Sequence, residues 1–167
     1  MKKVFSLVVL LIAVGAGFWL YTVLFPNPQQ AVRNHLNKVA RLASFSPSDG
    51  NLSRMANVER LGTLFARDVQ VVVDIPGYES HTFSNREELM QAAALTKRFA
   101  GGLKAEFLDM NIEMGAGNDS ALVDLTLKAK VSTESDLIVQ ELKFTLKKSD
   151  GGSWLITRVE TIKTLKP

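Results

Sequence analysis

Cysteine is absent from the 167 residues, which excludes a disulfide framework, a thiolate nucleophile and a thiolate metal site. Histidine is nearly so: His35 and His81 are the only two, 46 positions apart. They match no metal-ligand pattern, and no cofactor is expected. A phosphate-cradling loop is missing as well. The glycines at 15 and 17 lie inside an apolar stretch, and "GAGND" at 115–119 sits between two strand patterns, whereas such a loop needs a strand before it and a helix after.

A basic stripe is also lacking, although the pI is near 9.2. Of the 20 cationic residues, Lys2 and Lys3 stand at the extreme N-terminus, leaving 18 against 17 acids in the rest of the chain. Those cations are scattered among acids, without interleaved aromatics, so nucleic acid is not an expected partner.

What is present begins with one long apolar run. From Val4 to Phe25 there is no Asp, Glu, Lys, Arg or His. Its 22 residues would make a helix of about 33 Å, enough to cross a hydrocarbon core of about 30 Å. A signal peptide cut at Val14-Gly15-Ala16 is the rival reading. Such a cut would leave the apolar "GFWLYTVLF" as a new N-terminus, so residues 1–25 are expected to be an uncleaved signal anchor. Lys2 and Lys3 before the run, and Trp19 and Tyr21 toward its other end, predict a cytoplasmic N-terminus and a periplasmic or otherwise extracytoplasmic domain. "PNPQQ" at 26–30 ends the span as a linker.

Helical spacing then predicts three helices. Val32, Leu36, Val39 and Ala43 mark the first, to about residue 44. Leu52, Met55, Leu61, Leu64 and Phe65 mark the second, roughly 51–66, after the break "SPSDG". Ser84 with Glu87 suggests a capping box for the third, which Gly101-Gly102 ends. Beyond residue 103 the period becomes two. Leu108, Met110, Ile112 and Met114 alternate with Phe107, Asp109, Asn111 and Glu113, and two further strands plus "WLITRVETIKTL" complete an antiparallel meander.

The stretches "LGTLFARDVQVVVDIPG", "SNREELMQAAALTKRF" and "FTLKKSDGGSWLITRVETI" resemble the NTF2-like superfamily, which includes SnoaL-like cyclases and ketosteroid isomerases. The resemblance spans about residues 31–164 and implies an α+β cone: three helices on a curved antiparallel sheet, here preceded by one transmembrane helix, with a pocket on the concave face. It also implies, for the isomerases, a general-base aspartate near the end of the first strand with a tyrosine and a protonated aspartic acid as oxyanion donors, a case worked in general treatments of catalysis. Asp74 falls near the base. No tyrosine lies between Pro26 and Asp49, and Glu141 points away from the apolar face of its strand.

Parity puts Val69, Val71 and Val73 in the core row and Asp74 with Gln70 and Val72 opposite. Asp74 is therefore either a strand-end carboxylate or, with His81 as its orienter, a catalytic pair. His35 flanks the buried stripe of the first helix, either bonded to a backbone carbonyl or touching the pocket. Met110, Met114, Gln140 and Phe144 would line that pocket, in which Gln140 is the polar exception. The expected function is a membrane-anchored, non-catalytic binding or assembly module. Its partners would be the membrane through residues 4–25, a hydrophobic small molecule, or a second copy in a homodimer. The alternatives are an acid-base enzyme using Asp74 and a scaffold subunit of an envelope complex.

Overall fold

Our computed structural model describes residues 27–74, 80–99, 101–132 and 137–162. The apolar run at 4–25 lies outside them, and with it the expected anchor. Among the described residues no helix is long and apolar enough to cross a membrane.

Asn27 caps helix α1 (Pro28–Ala43), its side chain accepting the Gln29 N–H at 3.0 Å. Pro28 stands in the first turn, where an N–H would have no helical partner. Val32, Leu36, Val39 and Leu42 follow the helical period and are buried. Helix α2 (Asn51–Gly62) comes next and is shorter than its apolar spacing suggests. Phe65, expected at its end, instead opens strand β1 (Phe65–Val73), where it pairs with Ile156. A short strand β2 (His81–Phe83) returns antiparallel to β1.

Helix α3 (Arg86–Phe99) is capped one residue later than expected. Asn85, not Ser84, accepts the Glu88 N–H at 2.9 Å, while the Glu88 carboxylate takes the Asn85 amide at 2.8 Å and the Ser84 N–H at 2.9 Å. The reciprocal logic is that of the expected box, shifted because two capping residues and two glutamates stand side by side.

Strands β3 (Leu103–Met114), β4 (Ser120–Val131), β5 (Leu137–Lys148) and β6 (Trp154–Thr161) form the antiparallel meander. The sheet order is β2-β1-β6-β5-β4-β3, and β1 runs parallel to β6. The sheet is thus mixed rather than wholly antiparallel. Among the described strands the parallel pairing joins the first to the last, a relation that no hairpin between them could announce.

A bulge in β3 overturns part of the expected alternation. Leu108 pairs with Thr126 and Asn111 with Asp124, so Asp109 and Met110 oppose one residue of β4. Asp109 takes a positive φ of 51° there. The extra residue reverses parity: Phe107 packs on the core, Leu108 is exposed, and after the bulge Met110, Ile112 and Met114 face inward. The core lies between α1 and the sheet and includes Val32, Leu36, Val69, Val123, Leu146 and Ile156.

Helix α1 and the residues just after it also close the outer edge of β3. Leu103 exchanges both backbone bonds with Phe45. The Ser44 hydroxyl accepts the Ala105 N–H at 2.9 Å. Arg33 Nη2 donates to the Met110 carbonyl at 3.2 Å and Gln29 Nε2 to that of Ile112 at 3.3 Å. Backbone groups that an edge strand would present to solvent are in this way engaged at Leu103, Ala105, Met110 and Ile112.

Candidate functional site

The concave-face residues do come together, but as packing. Phe144 is only 3% exposed, and its ring meets that of Phe107 edge-on at 5.5 Å between centroids, an arrangement favoured by the ring quadrupoles. Met110 and Met114 are partly buried against the same cluster. Gln140 turns its amide onto backbone, donating to the carbonyls of Ile162 at 3.3 Å and Glu141 at 3.2 Å.

His35 is half-buried on α1, with Nε2 3.2 Å from the Leu64 carbonyl. Burial, assisted by the neighbouring Lys38 charge, holds its pKa below the ordinary imidazole range, against the upward pull of the Leu64 bond. A neutral ring donating from Nε2 satisfies that geometry.

Asp74 and His81 lie at one end of β1. Val73 pairs directly with His81, so the imidazole shares a face with Val73, and Asp74 follows at the strand's end. The Asp74 N–H donates to Thr161 Oγ1 at 3.0 Å, which ties this end to β6. Asp74 is partly buried, while His81 is exposed with its ring 4.9 Å from that of Phe83. The hydroxyl that these contacts bring to Asp74 is that of Thr161, and it serves as acceptor for the backbone N–H. Among the described residues, no three metal-ligating side chains form a group.

Sequence spacing did not single out a cleft between α2 and α3, of about 620 Å³. Its lining is Met55, Val58, Ala94 and Leu95, with Asn51, Arg54 and Gln91 as the polar members. The two helices approach closely at the other end, where a Cβ on Gly62 would stand 3.2 Å from the Met90 sulfur. Near the cleft, Arg54 Nη2 donates to the carbonyls of Ser46 at 2.9 Å and Pro47 at 3.1 Å, and the guanidinium lies 5.2 Å from the Phe45 ring centroid. Leu52 and Met55, expected on the core-facing stripe of α2, are instead 87% and 61% exposed, and Leu95 of α3 is 55% exposed.

No family model and no curated protein matches the sequence. Solved structures do. A candidate scytalone dehydratase from Novosphingobium aromaticivorans superposes with a TM-score of 0.60 at 18% identity, over 82% of this chain and 84% of that one. An NTF2-like protein with a cystatin-like fold from the same organism gives 0.60 at 15% identity, over 89% and 86%. An NTF2-like protein of unknown function from Pseudomonas putida gives 0.60 at 10%, over 81% and 85%. Likeness at these identities speaks for architecture alone, and together with three helices on a curved, mixed six-stranded sheet it shows that this chain has the NTF2-like cone fold.

Proposed function

We propose that the chain is a membrane-anchored, non-catalytic NTF2-like domain that faces the periplasm or cell exterior and acts as a binding or assembly module. The observation that carries this reading is the concave face. Where an acid-base enzyme of this fold would hold its reacting groups, the chain packs Phe107, Phe144, Ile112 and two methionines, and its histidine there is bonded to Leu64. A hydrophobic ligand entering among His35, Met110, Met114, Gln140 and Phe144 would rely on the adaptability of the methionines. The anchor rests on the apolar run from Val4 to Phe25 and its flanking lysines. A homodimer across the outer sheet face would use exposed Leu108, Leu122 and Val139, but it would also have to accommodate the Asp124–Lys143 pair, 3.6 Å apart.

Because the chain has no cysteine, a single Lys130→Cys label tests the orientation directly. A membrane-impermeant maleimide added to intact cells should modify it once the outer barrier is permeabilised. Labelling only after the inner membrane is opened would sink the exported reading. Native mass spectrometry of the same protein then reads partner, ligand and copy number.

The enzyme reading keeps one supporting observation, the partly buried Asp74 beside the strand that carries His81. Turnover of any hydrophobic ligand recovered from the protein, abolished by Asp74→Asn with folding intact, would establish it in place of the first.

A further inference from the structure

The geometry points to the cleft between α2 and α3 as a binding site for a single-chain anionic amphiphile, a free acyl carboxylate. This rests on the binding-module reading for its purpose but on none of that reading's concave-face residues.

Three observations converge. At about 620 Å³ the cleft is within the usual size range of small-molecule sites, about 300–1,000 Å³. Among the described residues its walls are apolar side chains, and its polar members are the amides of Asn51 and Gln91 and the guanidinium of Arg54, with no carboxylate. That guanidinium is also fixed in place. Two backbone carbonyls and the Phe45 ring hold Arg54 where it is, and its charge persists at any physiological pH. A fixed cation beside an apolar trough complements a molecule with one negative end and a hydrocarbon body.

The shape has a structural origin. Gly62 lets Met90 approach α2 closely, so the helices close at that end, while Ala94 leaves room at the other. Exposed Met55 and Leu95 line the cleft, and burial of such surface is favourable at about 25 cal/mol per Å².

The test uses the full chain in phosphatidylcholine nanodiscs and a medium-chain carboxylate bearing a diazirine near its tail, with crosslinks mapped by peptide mass spectrometry. Labelling should fall on residues 51–62 and 86–96, and the unlabelled carboxylate should compete much better than the alcohol of the same chain. Arg54→Gln should raise the half-saturating concentration roughly tenfold, the scale of one lost charge-assisted contact. Ala94→Trp, which fills the trough and leaves Arg54 in the sequence, should abolish labelling while the circular dichroism spectrum stays unchanged.

Three results would overturn the inference. Labelling of β3 or β5 around Met110, Met114 and Phe144 would return the ligand to the concave face. Labelling of the cleft only by a diazirine carried on the nanodisc phospholipid would make it a membrane contact. Equal competition by the alcohol would remove the anionic specificity. Failure of the export label leaves all three readouts unaffected, so the two proposals fail separately.

Discussion

His35 Nε2 approaches the Leu64 carbonyl at 3.2 Å, and the same oxygen accepts the Ile156 N–H at 3.0 Å. One acceptor thus joins α1, the turn just before β1 and the first residues of β6. The ring's lowered pKa makes this junction sensitive to acid. In the unfolded chain His35 takes a proton near pH 6.5, more readily than in the fold. Stability is therefore full above that value and falls as pH drops through the folded-state value. Urea melts at about pH 7.5 and about pH 5 should show the loss in the wild type. His35→Gln keeps a donor but cannot titrate, and should lose less over the same interval.

Phe144 separates a packed core from an open pocket. Phe144→Ala should cost about 3–5 kcal/mol, the range for truncating a buried aromatic. Val139→Ala, on the same strand but exposed, should stay within about 0.5 kcal/mol. Chemical denaturation of both variants checks the contrast. A near-neutral Phe144→Ala would show that the ring borders empty space.

Asp109 tests the bulge. At a φ of 51° a β-branched side chain is strained, and Asp109→Val should destabilise by about 1–2 kcal/mol. Asp109→Gly and Asp109→Asn should be close to wild type, since both residues adopt this backbone region readily. Equal stability of all three variants would mean the bulge lies elsewhere in solution.

Gly102 tests a close approach. A Cβ there would stand 2.6 Å from Ser132 Oγ and 2.9 Å from Pro47 Cδ, so Gly102→Ala should cost about 1–3 kcal/mol as an overpacked site. Adding Ser132→Gly should recover only part of that, because Pro47 cannot rotate away. Thermal melts of the single and double variants measure the recovery.

The elements that could be read from the chain are those whose signal is local. Val32, Leu36 and Val39 mark α1 by their spacing alone, and the strands of the meander alternate over runs long enough to be distinctive. What could not be read depended on partners far away in sequence or on a single misleading residue. The bulge sits at an aspartate, where a glycine would have given warning, and so Phe107 and Leu108 exchange faces. The acceptor for His35 lies 29 positions away. The cleft depends on Gly62 meeting Met90 between two helices, a matter of packing that neither helix encodes alone.

The bonds from Gln29, Arg33, Ser44 and Phe45 to β3 limit how copies of this chain can associate. A sheet open at both edges can propagate strand by strand into a fibre. Here one edge is occupied by the chain's own helix, and the other is β2, only 3 residues long. With these edges among the described residues, growth by strand addition would end after two molecules met edge to edge, and larger assemblies would use faces and helices.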